Sequence, residues 1–493
     1  MDAPMSLELL SGLPVLTVCL FLDTHEVKNL VLSCRGLAPD AAWLIADALC
    51  RDGDPAVILE RAARHGKASA VHHFLRCHSY SPEDLGRAFR AACRHAHADV
   101  VTLMIREHGV NPRACCHLLK EEEPVDEESD DDGRDSENSE DMEDRFDDEF
   151  FGGKVRNGDN ALTAACRNEA GWTVASLLLD DHGMALEEPG TYYGFTALHA
   201  AAYEGHVQLV AWLLHRGADV HAKTRCYPQR VGQYPVLLVA VTRGHATVVD
   251  VLLVHGADVE SRIGDTFYTA MMCAAFYGHV SVVETLLRHG ADVESRSEDG
   301  LTALMCAVIH GHVSVVKLLL RHGADAGARG NQAHAVLNFA VWSGDVDVVE
   351  TLLVYGDGRA HSCLETRDYI GDTPLMASSR SGNVNCVELL LRNGACLHSR
   401  NSQDGSTPLI LASRQGEAGC VKSLLAHGAD TEARNFAGHT ALYTAVQRRN
   451  GEVVRVLQQH LEEKVRERLS GLDRLMCCRS LWLSWRTETP SSS

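Results

Sequence analysis

A glycine that closes an apolar run recurs at Gly217, Gly256, Gly290, Gly323, Gly356, Gly394 and Gly428, at steps of 39, 34, 33, 33, 38 and 34 residues. This regularity constrains the chain of 493 residues more than its length does. A step close to 33 residues holds two short antiparallel helices and a turn, and is too short for a domain with its own core. One such unit exposes an apolar face that it cannot bury alone, so folding requires neighbours. The expectation is a single elongated all-α stack, not the several globular domains that length alone suggests.

The residues within each unit agree with that frame. Thr373-Pro374 and Thr407-Pro408 read as a helix cap followed by proline at the first helical position, where a missing N–H costs nothing. Small residues such as Ala200, Ala201, Ala274 and Ala275 let first helices approach closely, and Val316, Leu318, Leu319 and Leu320 give the second helix its apolar face. The recurring glycine then ends that helix in a left-handed conformation.

On these motifs the chain resembles the ankyrin-repeat family, whose pattern is roughly GxTPLHxAAxxGHxxVVxLLLxxGAD. The match is nearly residue for residue at Gly194–Asp219 and Gly300–Asp325, and clear at Gly371–Ala395 and Gly405–Asp430. The resemblance implies an ankyrin-repeat solenoid of stacked antiparallel helix pairs with finger-like turns, about eleven pairs in all. It covers residues 157–467 strongly and 54–116 weakly. Gly438–Leu461 reads as the terminal unit, with Gln458 and Gln459 at positions that are apolar elsewhere. Gly158–Gly183 is a variant unit, and Ala335–Gly356 departs from the pattern with Val336-Leu337-Asn338 in place of PLH. The longer steps imply finger insertions near Arg225–Gly232 and His361–Asp368. The expected organisation is a cap or module over 1–50, degenerate repeats over 51–116, an acidic insertion over 117–156, the main array over 157–467, and a C-terminal cap with a loose tail over 468–493.

Net charge is concentrated. Residues 121–149 hold 18 acidic residues and 2 arginines, a balance of −16 out of −21, so the remainder is nearly neutral. That segment has almost nothing to bury and reads as a disordered, solvated loop. Ser129 precedes three aspartates and is its phosphorylation candidate. The 17 cysteines are odd in number, lack a CxxC pair and fall largely at small or apolar repeat positions, as buried thiols in a reducing compartment do. Many of the 27 histidines belong to the repeat, His206, His245, His279 and His312 in "GH" and His255, His289, His322 and His427 in "HG". Their copies lie a full repeat apart, so the spacing predicts no metal site. Leu13–Leu22 is too short to span a bilayer and has no basic residue before it, so cytosol or nucleus is the expected location, without membrane contact.

At the N-terminus, Phe21-Leu22-Asp23 followed by Val27, Leu30, Leu32 and Ser33-Cys34-Arg35 resembles the second half of an F-box, the module that docks a substrate receptor onto a ubiquitin-ligase scaffold. Its first half departs from that pattern, because Leu13-Pro14 lies too close to Phe21 and no acidic residue follows the proline. A helical cap over the first repeat is the other reading. Leu472–Trp485, with Cys477-Cys478, faintly resembles the start of a SOCS box but lacks its later proline-leucine segment, and reads as a cap.

No phosphate-cradling glycine loop, nucleophile elbow or HExxH is present, nor a basic groove for nucleic acid, so the sequence points to no enzyme and no cofactor. Function then lies in surfaces that bind protein, with the chain expected to be a monomer. In the family, the two residues before the "GH" glycine end the first helix, project from the concave face and vary with the partner. That column gives Tyr203, Phe276, Tyr277, Ile309, Trp342, Arg380 and Arg414 as partner-binding candidates, on the expectation that large side chains there gain no core burial. A second column, Lys223, Arg262, Arg296, Arg329, Arg400 and Arg434, alternates with Glu260, Glu294 and Glu432 and reads as a solvated finger surface.

Overall fold

Threonine and asparagine caps start most of the first helices. The side chains of Asn160, Thr269, Thr302, Thr373, Thr407 and Thr440 each accept the backbone N–H three residues on, occupying one of the donors that a helix start leaves unpaired. The computed structural model describes residues 55–113, 159–190, 194–224, 233–264, 267–331, 335–356 and 363–466. The F-box-like stretch, Ser129 and the acidic insertion, the Arg225–Gly232 finger and the Leu472–Trp485 stretch lie outside the described residues.

Among the described residues eleven helix pairs follow one another, as the repeat count implies. The chain divides into two compact units, Met1–Thr266 and Phe267–Ser493. In the first unit the pairs are α1 (Pro55–Arg64) with α2 (Ala68–Cys77), α3 (Pro82–Arg94) with α4 (Ala98–Arg106), α5 (Ala161–Cys166) with α6 (Trp172–Ser176), α7 (Ala197–Glu204) with α8 (Val207–His215), and α9 (Val236–Thr242) with α10 (Ala246–Val254). The variant character of the third pair shows in α6, which runs into a single π turn, Leu177–Asp181. In the second unit they are α11 (Ala270–Phe276) with α12 (Val280–Arg288), α13 (Ala303–Ile309) with α14 (Val313–Arg321), α15 (Val336–Ser343) with α16 (Val346–Tyr355), α17 (Pro374–Ser381) with α18 (Val384–Arg392), α19 (Pro408–Gln415) with α20 (Ala418–Ala426), and α21 (Ala441–Gln447) with α22 (451–466). Strand among the described residues is confined to Arg262–Ile263 and Tyr268–Thr269. Within each unit first helices pack on first helices and second helices pack on their own partners and on one another, giving two layers with one continuous core between them. None of these helices is long and apolar enough to cross a membrane.

One side-chain bond ties successive pairs together. The Nε2–H of His97 donates to the Arg64 carbonyl at 2.9 Å, that of His206 to Arg167 at 2.9 Å and that of His245 to Tyr203 at 3.0 Å. In the second unit His312 donates to the Phe276 carbonyl at 2.8 Å. Asparagine takes the same role where the histidine is missing, Asn383 donating to Gly344 and Asn450 to Ser413, both at 2.9 Å. The acceptors are carbonyls at or near first-helix ends, where intrahelical partners run out. The residue before the donor is left-handed throughout, including non-glycine Ala96 (φ 58°) and Arg449 (φ 61°). Residues 55–106, which lack the repeat signature, thus carry the same device in His97.

Glycine is required at two levels. At Gly278 φ is +72°, and an added Cβ would lie 2.6 Å from the His312 ring. The "HG" glycines share the backbone without the neighbour; at Gly290 φ is +82° and nothing lies within 4 Å. The "HG" histidines close their own helices, His255 Nδ1 bonding the Val251 carbonyl at 2.8 Å and His427 Nδ1 the Ser423 carbonyl at 2.9 Å. Cys166, Cys273 and Cys306 are fully buried, and burial pushes their thiols up so that they stay neutral.

The basic finger column is less solvated than the sequence implies. Arg296 Nη1 donates to the carbonyls of Gly300 and, one repeat on, Arg329 at 2.6 Å. Arg400 Nη1 reaches the Arg434 carbonyl at 2.6 Å, and Arg367, displaced from the regular spacing by the longer step before it, donates to both Gly371 and Arg400. These guanidinium groups bind fingers to each other, because a carbonyl ladder lies within their reach.

Gly278→Ala and Gly290→Ala separate the two demands on glycine. The second is expected to cost about 1–2 kcal/mol for left-handed backbone alone, and the first to cost more because the His312 ring must also move; equilibrium urea unfolding of both variants measures the difference. A pH-dependent term comes from His199, fully buried, with Nδ1 accepting the Thr196 N–H at 3.3 Å and Nε2–H donating to the Tyr234 carbonyl at 3.2 Å. Burial lowers its pKa from 6.5 to about 4. The unfolded chain takes up a proton that the folded chain refuses, so this contribution is whole above pH 6.5 and is lost as pH falls toward 4. His199→Gln is expected to flatten the stability–pH curve across that window by up to about 3 kcal/mol, read from urea unfolding at stepped pH.

Candidate partner-binding surface

The residues that end the first helices sort into three environments. Tyr203 and Phe276 are each only 8% exposed, which corrects the expectation that large side chains at these positions gain no burial. The Tyr203 ring lies 6.3 Å from Phe195, with Arg243 at 4.7 Å and Arg167 at 5.4 Å from its centroid. Phe276 packs against His310, centroids 4.0 Å apart, and against Tyr277 at 5.1 Å. The next repeat presents a side chain to each ring, and that neighbour covers it. Tyr277 and Ile309 are half-buried.

Arg380 and Arg414 are engaged within the molecule. Arg380 pairs with the buried carboxylate of Asp372, which also accepts Asn401 Nδ2. Arg414 reaches Asp404 at 2.6 Å and Ser406 Oγ at 2.9 Å. Burial alone would raise the Asp404 carboxyl, and the bonds from Arg414 and Ser406 outweigh it, holding the group below the ordinary carboxylate range. The first unit holds the same device in buried form. Arg167 Nε lies 2.7 Å from Asp159 Oδ2 and its Nη1 3.0 Å from Glu204, while Arg94 reaches Asp159 at 3.1 Å. In both units an aspartate before the cap residue is followed eight residues later by the arginine, a spacing that the sequence displays.

Trp342 stands apart. It is 42% exposed, edge-on to Phe339 at 5.8 Å and edge-on to Tyr369 at 6.1 Å. Tyr369 is 68% exposed and belongs to the finger that leads into α17, so first-helix end and finger meet in one exposed aromatic pair. Phe436 occupies the matching finger position two repeats on and is 70% exposed, its ring lying where a Cβ on Gly405 would be 2.6 Å away. The helix-end column could not find Tyr369 or Phe436, because it reads the first helix only. The available signal was an aromatic at a finger position held by Glu298 and Asn331 in neighbouring units.

Two models of ankyrin repeats match the sequence. One, described as three copies, covers residues 138–224, 337–435 and 375–468; the other, described as many copies, covers 198–253 and 271–320. Together they account for more than half of the chain. The chain belongs to the ankyrin-repeat family. No curated protein matches it. Ankyrin repeats are protein–protein interaction modules, and both matching models describe such repeats and no enzymatic family. Within this ankyrin fold the exposed aromatics of Phe267–Ser493, like Trp172 in the first unit, are side chains whose size is not explained by core packing.

Stability separates the environments. Phe276→Ala is expected to cost about 3 kcal/mol or more, as buried aromatic truncations do, whereas Trp342→Ala should cost roughly 1 kcal/mol or less. Urea unfolding of the two variants reads both values.

Proposed function

We propose that this ankyrin-repeat protein is a non-catalytic scaffold that holds a protein partner on the face where first-helix ends and fingers meet, centred on Trp342 and Tyr369. Tyr277 and Ile309 extend the surface along the column of the two preceding repeats, and Arg380 flanks it as one half of an ion pair. The observation that carries this reading is the Trp342–Tyr369 pair, 42% and 68% exposed and in edge-to-face contact. Rigid aromatics that a partner desolvates are the usual energetic centre of an interface. Phe276 and Arg414 support the face from within, through packing and ion pairing, while Tyr203 of Met1–Thr266 is packed into its own unit. The adaptor alternative, recruitment of a ubiquitin ligase through Phe21–Arg35, rests on residues outside those described, and no observation in the helix pairs favours it.

For a partner isolated on the full-length chain, Trp342→Ala and Tyr369→Ala are each expected to weaken binding by roughly 2 kcal/mol, the scale of interface hot spots. Calorimetric titration measures the loss, with thermal unfolding as the control for fold. Unchanged affinity in both variants would place the interface elsewhere.

A further inference from the structure

Repeat stacking places residues one period apart in sequence next to each other in space. His72, in the middle of α2, and His108, just past the end of α4, are 36 residues apart, yet His108 Nε2 lies 3.2 Å from His72 Nδ1. Glu107 Oε2 lies 3.0 Å from the same His72 nitrogen. All three atoms fall within 4.8 Å of one another. His72 is not one of the "GH" or "HG" histidines, and stacking removes its separation in sequence from His108.

We infer that His72, Glu107 and His108 form a binding site for a divalent first-row transition metal ion such as zinc. A tetrahedral ion with ligand bonds of about 2.0–2.1 Å sets its ligand atoms about 3.3 Å apart, and the two shortest separations here are 3.0 and 3.2 Å. Three acceptor-capable atoms converge on a point that hydrogen bonding serves poorly. A proton on His72 Nδ1 can satisfy Glu107 or His108, and a proton on His108 Nε2 leaves the His72 lone pair facing the carboxylate. A cation satisfies all three together. A second histidine pair from neighbouring repeats, in edge contact like the first, shows the contrast. His215 and His255 sit 5.6 Å apart, but each spends Nδ1 on a carbonyl of its own helix, Ala211 or Val251. His72 is 34% and Glu107 56% exposed, so an ion has an entry path and water can take the fourth position.

The test uses the full-length protein, stripped of metal and titrated with Zn2+ by calorimetry and with Co2+ by visible absorption. One ion is expected to bind with ligand-field bands and no thiolate charge-transfer band, since no cysteine belongs to the site. His72→Ala and His108→Ala should each weaken binding by more than about 100-fold, beyond the range for loss of a group that only hydrogen-bonds to a metal ligand. His73→Ala, the next residue in α2, should leave it unchanged. Glu107→Gln keeps the shape of a half-exposed side chain and removes the anionic ligand, so it decides the matter if a histidine variant misfolds. Absence of binding, a thiolate band, or affinity unaffected by Glu107→Gln and the histidine variants would overturn the site.

Discussion

The side-chain bond that runs from a repeat to the first-helix end of the one before it, present at six junctions among the described residues, is the constraint on which the rest depends. A short helix leaves carbonyls without partners at its C-terminus, and burying them between repeats would be costly if nothing donated to them. His97, His206, His245 and His312, with Asn383 and Asn450, supply the donor. Each bond is nonlocal in sequence and local in the stack, so it couples neighbours and fixes their spacing. The left-handed residue before the donor turns the chain sharply enough for this reach, and at Gly205 and Gly278 it also makes room for the incoming ring.

With neighbours spaced in this way, the fate of a side chain at a first-helix end is set by what the next repeat presents. Phe276 meets His310 and is covered; Tyr203 meets Arg243 and is covered; Trp342 meets a finger tyrosine and stays open. The arginines are held first by their own repeat, Arg380 by Asp372 and Arg167 by Asp159, with Glu204 of the next repeat also bonded to Arg167. A buried carboxylate such as Asp159 is tolerable only because two guanidinium groups and good geometry offset its desolvation. In Phe267–Ser493 the face thus consists of a polar and aromatic floor satisfied within the unit, with a small exposed aromatic centre upon it.

Much of this was legible in the sequence. The period, the threonine caps, the prolines at first helical positions and the terminal unit with exposed Gln458 and Gln459 are all present as read. These features depend on interactions within four residues or on a pattern repeated often enough to be counted. Where the signature was absent, at residues 55–106, two degenerate repeats were legible from their two-helix rhythm, but the His97 bond was not, because Ala96 stands where glycine marks the register elsewhere.

The sequence alone therefore determined the fold, its register and the column on which large side chains would gather, since each follows from local propensity and a regular step. Only the tertiary structure decided which members of that column are buried, which arginines are already paired, that Tyr369 joins Trp342, and that His72, Glu107 and His108 converge. Apart from the arginine pairs, whose aspartates lie 8 and 10 residues away in the same repeat, each of those outcomes depends on a side chain about one repeat away, and the identity of that neighbour varies where the backbone period does not.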